Sequence, residues 1–145
     1  MTLVYCSDVR KPYFENRIKS EIPIIPKIGY TSICKAYNEA IDESKDDLMV
    51  FCHNDIEIYT KDWDVILKKI FDENEELAVI GVVGSNSFSG DSWAGDDCIS
   101  SGMLIQEHKY HVKTPHLLIF SPMFMNEDYV PSVTVDGMFI AIRKD

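Results

Sequence analysis

The stretch Asp46–Ile58, DDLMVFCHNDIEI, constrains this chain more than any other. Leu48 to Cys52 offers no polar position. A strand with one wet face alternates polar and apolar residues, so this run predicts a strand buried on both faces. It breaks into His53-Asn54-Asp55, side chains able to ligate a metal or a phosphate. In open α/β sheets, ligands gather outside the carboxyl ends of the central strands. The same three residues also read as a turn or helix cap built from Asn and Asp.

Around this strand the pattern alternates. Leu3–Cys6 predicts a short strand closed by Ser7 and Asp8, and Pro12 suits the first turn of a helix through Phe14 and Ile18. Ile22–Ile28 is apolar but carries Pro23 and Pro26, which limits it to an edge strand or an extended segment. Gly29 turns the chain, Thr31 or Ser32 caps a helix over 33–44, and Ile33, Ala36, Tyr37, Ala40 and Ile41 follow helical spacing. Thr60 is placed to cap a further helix, with Trp63, Ile66, Leu67, Ile70 and Phe71 as its apolar stripe. Leu77–Val83 predicts another buried strand. Strands alternating with helices predict a mainly parallel sheet. The later apolar runs 103–105, 117–120 and 138–142 have no helix pattern between them, which predicts hairpins or mixed pairing in an α+β tail.

Composition narrows the partners. The net charge is −10 across 145 residues, which argues against nucleic acid, because phosphate backbones need clustered Lys and Arg. An anionic ligand held through a metal ion stays compatible with it. The four cysteines form no C-x-x-C pair, so a zinc ribbon is not indicated; Cys6, Cys34 and Cys52 read as reduced core residues. No apolar run approaches the length of a membrane span, and the expected location is cytoplasmic, at most peripheral at a membrane.

Four further stretches carry chemistry. Ser7-Asp8 either meets a nucleobase or ribose or starts a turn. The long Gly/Ser/Asp-rich segment 84–102 carries Trp93, Asp96 and Asp97; it reads as a substrate loop with an aromatic stacking platform, or as a surface loop that tucks Trp93 into the core. Asp136-Gly137 either points an acid into the crevice or makes a turn. Of His108, His111 and His116, the first two lie three apart and would face opposite sides of a strand, a poor metal pair, so all three read as surface residues.

Together, SICKAYNEAI (Ser32–Ile41), DDLMVFCHND (Asp46–Asp55), IGVVG (Ile80–Gly84) and VDGMFIAIR (Val135–Arg143) resemble the signature of family 2 glycosyltransferases, in particular a bacterial glycosyltransferase-like subgroup with an FxHxD motif. The resemblance implies an α/β, Rossmann-like three-layer nucleotide-diphospho-sugar transferase (GT-A-like) fold. It implies one domain over 1–145, with 1–84 the nucleotide-binding half and 85–145 a partial acceptor-side half. It implies Mn²⁺ or Mg²⁺ at Asp55, with His53 in the place of the family's first Asp. Nucleotide contacts are implied at Cys6, Ser7, Asp8 and Asn54. The implied donor is a nucleotide-diphospho-sugar, a UDP-sugar in the first instance, and the acceptor a glycan or lipid-linked molecule. Asp136 is the remaining candidate for a catalytic base, although family members carry theirs beyond the VDG strand; on that pattern the chain is a fragment or an inactive relative. The rival readings are a non-catalytic nucleotide-sugar-binding module and, further off, a phospho-receiver domain.

Overall fold

The computed structural model describes residues 1–86, 100–106, 116–120 and 130–144. In chain order the elements are β1 (Thr2–Ser7), α1 (Pro12–Arg17), β2 (Ile24–Ile28), α2 (Ile33–Glu43), β3 (Leu48–Cys52), α3 (Trp63–Glu73), β4 (Val79–Gly81), β5 (Val83–Ser85), β6 (Ser100–Gln106), β7 (His116–Phe120), β8 (Thr134–Val135) and β9 (Phe139–Arg143). They divide into two compact units, Met1–Ile80 with Gly137–Asp145, and Gly81–Asp136.

The first unit holds a five-stranded sheet in the order β2-β1-β3-β9-β4. β1 runs parallel to both β2 and β3, and β9 runs antiparallel to β3, so the sheet is mixed. β3 is the middle strand and is buried on both faces, as its unbroken apolar run requires. Side chains alternate between the faces with the period of a strand. Leu3, Tyr5, Val50 and Cys52 pack against Phe14 of α1 and against Trp63, Leu67 and Phe71 of α3. Val4, Met49 and Phe51 pack against Ala40 of α2. Helices thus cover both faces, giving this unit three layers.

Local chemistry sets the helix ends. Gly29 turns the chain at φ 75°, a conformation that suits a residue without Cβ. The Ser32 hydroxyl then accepts the Lys35 N–H at 3.3 Å and caps α2. At α1 the cap comes from the core: the buried Tyr5 hydroxyl accepts the Lys11 N–H at 3.1 Å and donates to Glu15 Oε1 at 2.6 Å. α3 departs from the sequence expectation. Its cap is Asp62 in the left-handed conformation, with no side-chain cap bond, and not Thr60. The first intrahelical bond sets the cap, and it runs from the Ile66 N–H to the Asp62 carbonyl at 2.9 Å. The far end of α3 is closed by β9. Arg143 donates to the carbonyls of Phe71 at 2.6 Å and of Asn74 and Leu77 at 3.3 Å, a cation on the negative helix end.

Two other expectations are corrected. Leu77–Val83 is not one strand: β4 and β5 belong to different sheets, and the change falls at Gly81-Val82. A Cβ at Gly81 would lie 2.6 Å from Val135 Cβ, so the backbone passes too close for any larger residue, and hydrophobic periodicity carries no sign of such a switch. Cys34 is exposed on α2, while Cys52 is buried and Cys6 half-buried; all three are free thiols.

The second unit is a four-stranded sheet in the order β7-β6-β5-β8. Its pairings β5–β6, β6–β7 and β5–β8 are all antiparallel. Among the described residues of this unit there are strands and no helix, and their antiparallel pairing fits the hairpins or mixed pairing expected of these runs.

The helical stripe of α3 yields a test. Phe71 is fully buried and Ile66 is 44% exposed. Phe71→Ala is expected to cost about 3–5 kcal/mol, and Ile66→Ala less than about 1 kcal/mol. Urea denaturation of both variants measures the difference.

Candidate functional site at the carboxyl ends of two parallel strands

β1 and β3 lie side by side and parallel, with Tyr5 opposite Cys52 at their carboxyl ends. One step on, the His53 N–H donates to the Met138 carbonyl at 3.0 Å and extends the pairing towards β9. The chain leaves the sheet at Asn54. Asn54 Nδ2 donates to the Cys6 carbonyl at 2.6 Å, tying the two strand ends together. The two ends form one side of a pocket of about 200 Å³, lined by Cys6, Cys52, His53, Asn54 and Asp55. Ile33 and Tyr37, from the first turns of α2, form the other.

The pocket is polar at one end and nearly apolar at the other. His53 and Asp55 are exposed and Asn54 is half-buried. The Tyr37 ring packs on Phe51 with centroids 4.4 Å apart. Its hydroxyl is buried and has no hydrogen-bond partner among the described residues. Burial, with smaller effects of Cys6 and Cys52, pushes this phenol above its ordinary range. Burial also raises the Cys6 thiol, against the opposing pull of Lys27, and pushes Cys52 up to about 12. Among the described residues no Lys or Arg lines the pocket. Lys27 is itself buried in β2 and committed to Glu43 at 2.7 Å; burial works against its charge, but the Glu43 carboxylate outweighs it and the ammonium is held above its usual range.

The structure therefore brings together four residues singled out from the sequence: Cys6, His53, Asn54 and Asp55. Ser7 and Asp8 follow Cys6 but do not line the pocket. Asp8 Oδ1 accepts the Ser7 hydroxyl at 3.1 Å and the Val9 N–H at 2.8 Å, with the Lys11 ammonium at 3.7 Å. These contacts, the Ser7 hydroxyl first, hold its carboxyl below the usual range. Asp136 belongs to the second unit, where its N–H donates to the Val83 carbonyl at 2.8 Å. The VDG stretch is not one strand: β8 ends at Val135, and Gly137-Met138 turn into β9. Trp93, Asp96 and Asp97 lie outside the described residues. Sequence reasoning placed Ile33 and Tyr37 only in a helical stripe. The available signal was the tyrosine itself, whose hydroxyl needs a partner when the ring packs inward.

Among the described residues no three His, Cys, Asp or Glu side chains converge into a metal cage. An ion bound together with a nucleotide needs less, because Mg²⁺ commonly takes one or two protein carboxylates and completes its shell with phosphates and water. The exposed Asp55 carboxylate, with His53 two residues away at the same pocket, fits such a partial set.

A three-layer α/β unit with a polar pocket at the carboxyl ends of parallel strands has the layout of a ligand-binding α/β protein. A family model described as a glycosyltransferase-like family matches residues 15–145. The chain belongs to this family, in agreement with the signature read at Ser32–Ile41 and Asp46–Asp55. No curated protein matches it. Among the described residues no helix is long and apolar enough to cross a membrane.

The thiols provide a check on the pocket geometry. Of the three described thiols, iodoacetamide on the native protein should label Cys34 before Cys6, with Cys52 modified only on unfolding. Because burial disfavours the Cys6 thiolate, its labelling should keep accelerating at pH values where an ordinary thiol is already ionised. Peptide mass mapping across a pH series measures this order.

Proposed function

We propose that this chain binds a nucleotide-diphospho-sugar, a UDP-sugar in the first instance, and transfers the sugar to a carbohydrate or lipid-linked acceptor. The observation that carries this reading is the pocket where β1 and β3 end, because it gathers Cys6, His53, Asn54 and Asp55, the last three being the end of the DDLMVFCHND stretch read as part of the glycosyltransferase signature. Helices on both faces, the parallel order β2-β1-β3 and the antiparallel β9 support a GT-A-like fold. The antiparallel strand β9, paired directly to the central β3, weighs against a phospho-receiver domain, whose doubly wound sheet is parallel.

In this reading Asn54 holds the strand ends at a fixed spacing through the Cys6 carbonyl, so the donor meets a preorganised floor. Asp55, with His53, is the protein's share of a Mn²⁺ or Mg²⁺ site. Such an ion, when bound, neutralises charge on the leaving diphosphate. Ser7 and Asp8 border the nucleotide, and Trp93, Asp96 and Asp97 belong to the substrate loop. Asp136 is the candidate acid for the sugar-transfer step, where a carboxylate accepts the acceptor's proton.

Calorimetry tests the donor and metal roles together. UDP should bind roughly tenfold more tightly with Mn²⁺ than in EDTA, the effect of about 1.4 kcal/mol from charge-assisted contacts. Asp55→Ala should remove that difference. Equal affinity with and without the ion would defeat the metal role. Tight UDP binding with no sugar transfer to any acceptor would favour the binding-module reading.

A further inference from the structure

Among the described residues, Tyr37 is the pocket-lining side chain that also carries a buried polar atom with no partner. Buried hydroxyls are nearly always hydrogen-bonded, and leaving one unpaired costs the desolvation of the group. Its position follows from the helix. Tyr37 lies one turn after Ile33, so the two share a face of α2. Helical side chains lean back towards the N-terminus, which carries the phenol towards the strand ends. Phe51 then fixes the ring at 4.4 Å. The nearby Asn54 amide is already committed to the Cys6 carbonyl.

Size and polarity say what completes this wall. The pocket of about 200 Å³ suits one six-membered ring, since a cavity of about 150 Å³ holds benzene. A whole nucleotide does not fit inside it. With no Lys or Arg among its described lining, the end formed by Ile33, Tyr37 and Cys6 suits a neutral, flat group better than a phosphate. The anionic part of a ligand belongs at the mouth, where Asp55 and His53 can hold a cation.

We infer that Tyr37 reads the base of the nucleotide: a single-ring pyrimidine packs against Tyr37 and Ile33, and Tyr37 Oη donates a hydrogen bond to a carbonyl oxygen of that ring. This rests on the reading of the pocket as a nucleotide-diphosphate site. The Tyr37 hydroxyl is buried, and Ile33, which lines the same pocket one turn earlier on α2, is 50% exposed, so the base reaches Tyr37 Oη only if the side chains of this wall shift as it enters. Burial keeps the phenol protonated, so it remains a donor at physiological pH.

Tyr37→Phe tests this, because it keeps the ring on Phe51 and removes only the hydroxyl. With saturating Mn²⁺, the wild-type protein should bind UDP more tightly than GDP. Tyr37→Phe should weaken UDP about five- to tenfold, the range of one neutral hydrogen bond, and narrow the preference over GDP. Without ligand, the melting temperature of Tyr37→Phe should equal or exceed that of wild type, since a lone buried hydroxyl is lost. Unchanged UDP affinity in Tyr37→Phe overturns the role of Tyr37 and leaves the nucleotide site standing. GDP binding as tight as UDP in the wild type overturns the single-ring pocket. A lower melting temperature of the ligand-free variant shows the hydroxyl already bonded and overturns the inference as well. A wild-type protein that binds neither nucleotide removes the nucleotide reading, and Tyr37's role with it.

Discussion

Double burial of β3 is the constraint on which the first unit depends. Leu48–Cys52 presents apolar side chains to both sides of the sheet, and each side needs its own cover. α2 covers Met49 and Phe51, while α1 and α3 cover Val50 and Cys52. A central strand covered this way can release its chain only at its ends. Beyond Cys52 the backbone re-enters water between β1 and β9, and the residues there must be polar enough to stay wet. His53, Asn54 and Asp55 meet that need and are thereby gathered at one place. The site is a by-product of burying the strand before it.

Much of this was legible in the sequence because it is periodic or local. The apolar run of β3, the prolines that confine β2 to the sheet edge, the Ser32 cap and the alternation of strand and helix all act within a few residues. The long-range contacts were not legible. Nothing near Leu77–Val83 indicates that Val135, far along the chain, lies against Gly81 and splits that run between two sheets. Nothing near Lys11 indicates that Tyr5 caps α1 from the core. Cys34 looked like core by residue type, yet its turn of α2 faces water.

At the candidate site the sequence named the strand-end residues but not the helix that completes the pocket. His53-Asn54-Asp55 stand out as a polar break in an apolar run, a local signal. Ile33 and Tyr37 look like any amphipathic pair, and only the arrangement of α2 beside the strand ends gives them a role. The same arrangement sets the pocket's polarity, because strand ends contribute amide, imidazole and carboxylate groups while the helix contributes hydrocarbon and one phenol.

The position of β9 has a consequence for how the chain assembles. β9 inserts between β3 and β4, although residues 82–138, nearly all of them the second unit, separate it from β4. Contacts so distant in sequence form slowly, since the intervening loop must close before they are made. Until residues 139–143 emerge from the ribosome, one edge of β3 has no partner, and its bare backbone groups can pair with another chain. The end of α3 likewise waits for Arg143 to reach its carbonyls. The unit that begins first is thus completed last, and in a cell crowded with nascent chains its most hydrophobic strand stays open longest.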